Sequence, residues 1–245
     1  MKRSEILVIV PAFNEEASIL RVAESLKSKA PEVDFLVVND GSRDRTAALC
    51  RENGLPLLDL PVNLGLAGAF QAGMRYADRM GYRFAVQFDG DGQHRAEYIA
   101  PMRKKIGEDG GYDIVIASRF VTEKKPATLR MLGSRIIAGA IRLSSGITVQ
   151  DPTSGMRMYS RRMIELFSRH VNYPPEPDSL CWLAKHGARV AEVQAEMDLR
   201  TAGVSYLTPI NAANYMARTL VSILFLQFFR GVPPMHETEI REERA

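Results

Sequence analysis

Short apolar runs recur along the first half of the sequence, at residues 6–10, 35–39, 57–60, 84–88 and 114–117. Segments of about ten to twenty residues with helical spacing separate these runs, so the pattern predicts repeated strand–helix–strand units. Such units build an α/β fold, with a mostly parallel sheet and helices on both of its faces. Ligands of these folds bind beyond the carboxyl ends of the strands, so the residues after each run are the first site candidates.

Length and composition narrow the classes of protein. The 245 residues are enough for one large domain with a full core. Thirty-two Lys and Arg against 29 Asp and Glu give a net charge of +3, too balanced for a nucleic-acid surface, so no nucleic-acid partner is expected. Cys50 and Cys181 have no metal-ligand spacing and predict reduced thiols. The apolar run 6–10, after the basic Lys2 and Arg3, predicts a strand rather than a signal peptide, and no apolar stretch reaches the roughly 18 residues of a membrane span.

The run at 84–88 ends in Asp89-Gly-Asp91-Gly, which places two carboxylates one residue apart in a glycine-rich turn. Gly90 and Gly92 free the backbone, so both carboxylates can turn toward one divalent cation. Oxygen ligands of this kind suit Mg²⁺ or Mn²⁺. An ordinary turn is the alternative, because aspartate and glycine are common turn residues.

Further polar motifs stand at the ends of other predicted strands. Residues 11–16 (Pro-Ala-Phe-Asn-Glu-Glu) close the first run, and residues 37–44 (Val-Val-Asn-Asp-Gly-Ser-Arg-Asp) contain the end of the second. Each motif alone also fits a capped turn from strand to helix. The second half adds residues 151–157 (Asp-Pro-Thr-Ser-Gly-Met-Arg) and residues 200–205 (Arg-Thr-Ala-Gly-Val-Ser).

With the Asp-Gly-Asp turn and the pair Ser118-Arg119, these motifs resemble the glycosyltransferase family 2 catalytic domain of the GT-A (Rossmann-like) fold. The resemblance covers about residues 5–205 and is closest to the dolichyl- and polyprenyl-phosphate sugar synthases. It implies an enzyme that binds a nucleotide-diphospho-sugar donor.

By this resemblance, Pro11, Phe13, Glu15 and Asp40 hold the base and ribose of the donor, since carboxylates accept hydrogen bonds from hydroxyl groups. The turn at residues 63–68 lies near the nucleotide, although helix capping by its asparagine is an equal alternative. The whole predicted donor-binding set is Pro11, Ala12, Phe13, Glu15, Asp40, Gly68, Asp89, Gly90, Asp91, Arg119 and Arg200.

The resemblance assigns the metal to Asp89, Asp91 and Gln93, with Gln93 as a third oxygen ligand. The neighbouring His94 is expected to be a structural hydrogen-bond partner rather than a ligand. Departure of a nucleoside diphosphate builds negative charge, which guanidinium groups can stabilise. Arg119 and Arg200 are predicted to do so.

The chain departs from the family after Ser205, where a lysine is common and Tyr206 stands. This departure predicts either a weaker phosphate clamp or a different acceptor.

Asp151 is the predicted reaction-centre residue on the acceptor side. A sugar hydroxyl acceptor needs a general base, which Asp151 would supply. A polyprenyl phosphate is already an anion, so with that acceptor Asp151 would orient rather than deprotonate. Asp151 before Pro152 also fits a plain turn. Glu176, in the proline-rich stretch 173–178, stands where the lipid-phosphate relatives also carry a glutamate, so the resemblance implies that it contacts the acceptor.

Residues 207–230 predict an amphipathic helix after a catalytic domain at 1–206, whose donor half is about 1–120 and whose acceptor half is about 121–206. Asn211, Asn214, Arg218 and Ser222 form one narrow polar stripe on a largely apolar surface. The apolar surface predicts packing on the core or on a second subunit, or peripheral contact with a membrane. Residues 231–245 form a charged tail.

We therefore expect a metal-dependent, inverting glycosyltransferase with a polyprenyl phosphate or lipid-linked glycan as acceptor, cytoplasmic and working at the inner face of the membrane. The alternatives are a soluble transferase that extends a cell-surface polysaccharide, a sugar-nucleotidyltransferase, and a silent nucleotide-binding scaffold. A nucleotidyltransferase would have a glycine- and lysine-rich phosphate loop near the N-terminus, which residues 11–16 lack. Intact Asp89, Asp91 and Arg200 argue against a silent scaffold.

Overall fold

The computed structural model describes residues 4–108, 110–198 and 209–231. These residues form one seven-stranded sheet with the strand order β3-β2-β1-β4-β6-β5-β7. The strands are β1 Ile6–Ala12, β2 Asp34–Asn39, β3 Leu57–Asp59, β4 Phe84–Gln87, β5 Ile114–Ser118, β6 Arg157–Tyr159 and β7 Val190–Gln194. The helices are α1 Ile19–Lys29, α2 Thr46–Glu52, α3 Gly65–Arg79, α4 Ile99–Ile106, α5 Leu129–Ser145, α6 Arg161–Arg169, α7 Pro177–Lys185 and α8 Pro209–Leu224.

The sheet confirms the predicted mostly parallel architecture, with one exception. Strand β6 lies between β4 and β5 and is antiparallel to both, so that Met158 pairs with Val86 on one side and with Val115 on the other. Strand β6 was not predicted, since residues 151–157 were recognised only as a motif. Three residues are too few to show a period-two pattern, so only the neighbouring strands define β6.

Strand β1 continues two residues beyond its predicted end, through Pro11 to Ala12. Proline has no backbone N–H and normally interrupts a central strand. Pro11 shares the bonding direction of Ile9, whose carbonyl accepts from Phe88 on the β4 side. The pairing of β1 with β4 ends at Ile9 and Gln87. At Pro11, β4 therefore no longer pairs with β1, and the absent N–H of proline breaks no hydrogen bond of the sheet.

The core has one layer on each face of the sheet. On one face, Val22 and Leu26 of α1 pack with Ile99 and Met102 of α4. On the other face, α3 and α6 pack against each other through Phe70, Met74, Met163 and Phe167. Cys50 and Cys181 are buried free thiols, as predicted.

The predicted C-terminal helix ends earlier than expected. Helix α8 stops at Leu224, and a short 3₁₀ turn, Leu226–Phe229, follows it. Its inner face packs on α5 and α7, where Ile223 joins Ile141 and Cys181 in a small cluster. Packing on the core, one of the predicted alternatives, is therefore confirmed for this face. Within the described residues, no helix has both the length and the apolar character to cross a bilayer.

Candidate active site

The carboxyl ends of β1, β2, β4 and β5 meet at one edge of the sheet. The chain leaves these strands at Ala12, Asn39, Gln87 and Ser118, so the polar turns that follow are brought together. Parallel pairing of β1 with β2 and with β4 enforces this meeting. The edge is the position expected for a ligand site in an open α/β sheet.

The turns after β1 and β2 are bonded to each other. Asn14, in the left-handed region with φ of 57°, accepts from the backbone N–H of Arg43 at 2.9 Å. The backbone N–H of Asn14 donates to Ser42 Oγ at 3.0 Å, and that of Glu15 donates to Thr46 Oγ1 at 2.8 Å. These bonds hold the predicted donor-binding residues next to Asn14 in a fixed turn.

Asp40 is buried and organises the next turn. Its Oδ1 accepts from the backbone N–H of Leu64 at 2.7 Å, and its carbonyl accepts from Asn63 Nδ2 at 3.0 Å. Asn63 Oδ1 in turn accepts from the N–H of Gly65, the first residue of α3. The N-cap of α3 is Leu64, which has no side-chain cap bond, so the predicted capping by Asn63 is wrong. Asn63 instead ties the start of α3 to Asp40.

Gly68 lies within the first turns of α3. A Cβ atom there would stand 2.4 Å from Leu64 Cβ, so the turn packs too closely for any larger residue. Its predicted donor contact stays a prediction.

The turn after β4 carries Asp89, Asp91 and Gln93. Asp91 Oδ1 accepts from the backbone N–H of Gln93 at 3.0 Å, which closes the turn. Gly90 lies against β1, since a Cβ on it would be 3.0 Å from the carbonyl oxygen of Pro11. The Asp89 side chain is 38% exposed and is therefore open to a ligand.

His94 is buried beneath this turn and supports it. Its Nδ1 accepts from the backbone N–H of Asp89 at 2.9 Å, and its ring meets the edge of Phe88. Because Nδ1 is an acceptor, the proton of the neutral ring is on Nε2, which lies 3.5 Å from Asp89 Oδ2. The predicted structural role of His94 is confirmed.

The residues of the turn fit a hard divalent cation. Asp89 and Asp91 offer carboxylate oxygens, and Gln93 directs its amide nitrogen toward the carbonyl of Asp198, which leaves its oxygen as the acceptor end. Among the described residues, no group of three His, Cys, Asp or Glu side chains could hold a metal by itself. A cation here therefore needs oxygens of other kinds, such as that of Gln93 and those of a bound diphosphate.

The loop before β6 packs against the turn after β4. A Cβ atom on Gly155 would stand 2.4 Å from Asp89 Oδ2, so this backbone lies directly against the carboxylate. Ser154 Oγ donates to the carbonyl of Ala117 at 2.6 Å, which fixes the loop to the end of β5. The predicted acceptor segment and the predicted metal turn are thus neighbours.

Asp151 and Arg119 form a buried, two-pronged ion pair. Arg119 donates from Nε to Asp151 Oδ2 at 2.7 Å and from Nη2 to Oδ1 at 2.9 Å, and Asp151 is fully buried. Burial alone raises the pKa of Asp151, but the hydrogen bonds and charge of Arg119 outweigh it and hold this pKa below its ordinary value. The predicted base role of Asp151 and the predicted phosphate contact of Arg119 both stay predictions.

Arg157 is a site residue that the sequence analysis did not single out. It is almost fully buried at the start of β6 and donates to the carbonyls of Pro152, Ser154 and Glu176. These three bonds fasten the loop before β6 to the start of α7. Its position as the last residue of the 151–157 motif was the only available signal.

Glu176 directly precedes α7, and its backbone N–H donates to Ser179 Oγ at 3.2 Å. Burial raises the pKa of the Glu176 carboxyl, the charge of Asp178 raises it further, and Arg157 and Arg218 act against both. Tyr215 of α8 lies in the same surroundings, where burial and then the charge of Glu176 raise the pKa of its hydroxyl to about 12. Tyr215 and Arg218 of α8 therefore lie near Glu176.

Arg200 and Tyr206 lie outside the described residues. The chain leading to them is held at Asp198, whose N–H donates to the carbonyl of Gln93 at 2.9 Å. Arg95 Nε donates to Asp198 Oδ1 at 2.8 Å. The predicted metal turn thus contacts the chain two residues before Arg200.

The family model described as Glycosyl transferase family 2 matches residues 7–167, well over half of the chain. The match takes in the turns after β1, β2 and β4 and the pair of Arg119 and Asp151. The chain belongs to glycosyl transferase family 2. As a family 2 member it is a glycosyltransferase, and the nucleotidyltransferase and silent-scaffold alternatives are set aside.

Two curated relatives of this family 2 chain act on lipid phosphates by name. It is 30% identical over 224 residues to the polyprenol monophosphomannose synthase of Mycolicibacterium smegmatis, with 86% of this chain and 83% of the relative covered. It is 29% identical over 218 residues to the undecaprenyl-phosphate mannosyltransferase of Micrococcus luteus, with 83% and 87% covered. The predicted similarity to polyprenyl-phosphate sugar synthases is confirmed.

Solved structures agree on the fold of the family 2 chain. Glucosyl-3-phosphoglycerate synthase from Mycobacterium tuberculosis, in complex with Mn²⁺, uridine-diphosphate-glucose and phosphoglyceric acid, is similar with a TM-score of 0.67 at 21% identity. The similarity covers 91% of this chain and 80% of that enzyme. It confirms the predicted GT-A fold, and the ligands are those of that enzyme.

Proposed function

We propose that this glycosyltransferase moves a sugar from a nucleotide-diphospho-sugar to a polyprenyl phosphate, with inversion at the anomeric carbon. The observation that carries the proposal is the Arg119–Asp151 pair. A fully buried carboxylate that accepts two bonds from one guanidinium group is a poor general base, because protonation would break that pair. A phosphate acceptor needs no base, since it is an anion at neutral pH.

The donor occupies the edge formed by the turns after β1, β2 and β4. Phe13, which is 37% exposed, presents a ring face to the base, and Glu15 and Asp40 accept bonds from the base or ribose. Asp40 already uses Oδ1 for Leu64, so Oδ2 is the oxygen assigned to the donor.

Asp89, Asp91 and Gln93 would hold Mg²⁺ or Mn²⁺ together with the diphosphate of the donor. The cation supplies a positive charge that stabilises the departing nucleoside diphosphate. Arg200 adds a second positive charge at the same group in this proposal.

Transfer then takes one displacement. A phosphate oxygen of the acceptor bonds to the anomeric carbon, and the bond from that carbon to the diphosphate oxygen breaks with both electrons leaving on the nucleoside diphosphate. Arg157 holds the loop before β6, and this loop packs against Asp89. The loop sets the distance between the phosphate of the acceptor and the diphosphate of the donor. Asp151 orients this loop through Arg119 instead of accepting a proton.

The variant Asp151→Asn tests the base-free reaction, because it keeps the size of the side chain and removes its basicity. With a polyprenyl phosphate acceptor and one donor, we expect turnover per folded molecule to fall by less than about tenfold. Loss of a general base costs on the order of 10²- to 10⁴-fold. A loss of that size, with the folded fraction confirmed by circular dichroism, contradicts the proposal, and Asp59→Asn serves as the control.

A sugar hydroxyl acceptor, as in a lipid-linked glycan or a cell-surface polysaccharide, is favoured by one observation. The raised pKa of Glu176 makes this carboxyl a better base than an ordinary glutamate. In that case Glu176→Gln would abolish transfer to a glycan. In the phosphate reaction, Glu176→Gln changes the KM for the acceptor more than it changes kcat.

A further inference from the structure

A pocket of about 670 Å³ lies at the edge of the sheet opposite to the candidate active site. Its walls come from the chain just before β4, β5 and β7, from the chain just after the antiparallel β6, and from the end of α4. The five residues of β5 separate the two edges by roughly 17 Å. The pocket is therefore distinct from the donor site.

Arginine dominates the lining of this pocket. Among the described residues that line it, five are arginines and one, Asp113, is acidic. We call it the arginine pocket, after Arg83, Arg103, Arg161, Arg162 and Arg189. The five come from four separate parts of the chain, so the fold and not a local run of sequence brings them together.

The innermost guanidinium groups are held rigidly. Arg162 donates to Asp113 from Nε at 3.0 Å and from Nη2 at 2.8 Å, and Asp113 also accepts from the backbone N–H of Arg189 at 2.8 Å. Arg161 donates to Glu165 at 2.9 Å. The side chains of Arg161 and Arg162 are only 27% and 22% exposed. Their ordering is already complete before any ligand arrives, which lowers the entropic cost of binding.

The other three arginines lie over aromatic rings. Arg103 stacks on Phe84 at 4.3 Å, and Arg83 lies over the same ring at 5.3 Å. Arg189 lies 5.0 Å from the ring centre of Tyr112. A guanidinium group stacked by its face keeps its donor groups at its edge, in the plane that suits two-pronged bonds to phosphate.

The shape of the pocket agrees with a small ligand. Its volume falls within the roughly 300–1,000 Å³ of small-molecule sites. Gly107, Gly110, Gly111 and Gly187 line it, so little side-chain bulk fills the space between the arginines. Acidic side chains offset part of the five positive charges, since Glu5 pairs with Arg83 and Arg103, Arg161 pairs with Asp78 and Glu165, and Arg162 pairs with Asp113. An anion in the pocket is attracted by the positive charge that remains.

We propose that the arginine pocket is a second anion site, which binds a phosphate group. The phosphate belongs either to a free phosphorylated molecule or to a lipid headgroup. The inference stands on the pocket alone and does not rest on the proposed function.

Calorimetric titration of the whole protein with inorganic pyrophosphate tests the site, after divalent cations are removed on a chelating resin. The test variant is Arg83→Ala/Arg189→Ala, which leaves the Arg162–Asp113 pair intact. The matched control is Arg51→Ala, since Arg51 and Arg83 are 60% and 67% exposed and each has one carboxylate partner.

We expect wild type and Arg51→Ala to bind pyrophosphate alike, and the double variant to bind at least tenfold more weakly. Equal binding by the double variant and wild type overturns the proposal. If the double variant does not unfold cooperatively, Arg83→Glu takes its place with the same expectation.

A second arm uses vesicles of phosphatidylglycerol and of phosphatidylcholine. If the wild-type protein binds phosphatidylglycerol but not free pyrophosphate, and the double variant loses this binding, the phosphate belongs to a lipid headgroup. Absence of binding to both pyrophosphate and phosphatidylglycerol by the wild-type protein overturns the proposal.

Discussion

Asp151 and Arg119 show at the scale of single residues how a buried ion pair shapes the chemistry that a site can perform. The carboxylate is fully buried, and its charge is stabilised by one guanidinium group rather than by water. Breaking such a pair by removing one partner typically costs about 3–5 kcal/mol. The pair therefore contributes to folding as well as to the orientation of the loop before β6.

The lowered pKa of Asp151 predicts how stability depends on pH. Because this pKa is lower in the folded state, its stabilisation is present above the ordinary aspartate pKa of about 3.9 and is lost as the pH falls through the folded value. The free energy of unfolding of wild type should exceed that of Asp151→Asn at pH 7, and the difference should shrink below about pH 4. Urea titrations from pH 7 to pH 3 measure it, and a difference that stays constant with pH contradicts the assignment.

The residue scale also shows what sequence can reveal. The structural role of His94 was predictable, because its partner Asp89 is five residues away in one turn. The pairing of Arg119 with Asp151 was not, since 32 residues separate them and either could have faced the donor. Arg157 binds backbone carbonyls, and no side-chain pattern in the sequence encodes those partners.

At the scale of elements, the turn after β4 and the loop before β6 work as one unit. The strands that lead into the predicted turns were found within two residues, because buried parallel strands appear as continuous apolar runs. Strand β6 was not predicted, although it places the loop before it against Asp89. Contacts between segments that are distant in sequence depend on the order of the strands in the sheet. The periodicity of apolar residues does not reveal that order.

Gly155 gives a test of this unit. In Gly155→Ala the new Cβ would approach Asp89 Oδ2 to 2.4 Å, so the carboxylate must move. We expect the Mn²⁺ concentration for half-maximal activity to rise on the order of tenfold, equivalent to about 1.4 kcal/mol. The control is Gly139→Ala in α5, where a Cβ meets nothing within 4 Å. An unchanged Mn²⁺ dependence of Gly155→Ala would show that the loop before β6 does not affect Mn²⁺ binding at the turn after β4.

At the scale of the whole molecule, α8 has two different faces. The inner face packs on α5 and α7, and Ser222 Oγ donates to Asp178 Oδ2 at 2.8 Å. The outer face of α8 leaves Val221 exposed at 49%, and the residues that follow the helix leave Phe225 and Phe229 exposed at 62% and 87%. Contact of this face with a membrane, with a second copy of the chain, or with neither stays a prediction, as does a cytoplasmic location at the inner face of a membrane.

The membrane alternative predicts that Phe225→Ser/Phe229→Ser reduces binding to anionic vesicles while the fold is kept. Each phenylalanine buried in lipid contributes on the order of 2 kcal/mol, so losing both should lower binding by more than tenfold. Co-sedimentation measures the change, with Met80→Ser at the end of α3 as the control. If the wild-type protein never co-sediments with vesicles, the exposed face of α8 does not bind membranes.

The phosphate of the acceptor is the central claim of the proposed reaction, and comparing a short polyprenyl phosphate with the matching polyprenol tests it most directly. Both are offered with one nucleotide-sugar donor and Mn²⁺, and the glycosylated lipid and released nucleoside diphosphate are measured together. The account predicts product only with the phosphate, in equal amount to the nucleoside diphosphate and with inverted anomeric configuration. Transfer to the polyprenol at a comparable rate would contradict it, because that reaction requires a general base, and in this account neither the buried Asp151 nor Glu176 removes a proton from the acceptor.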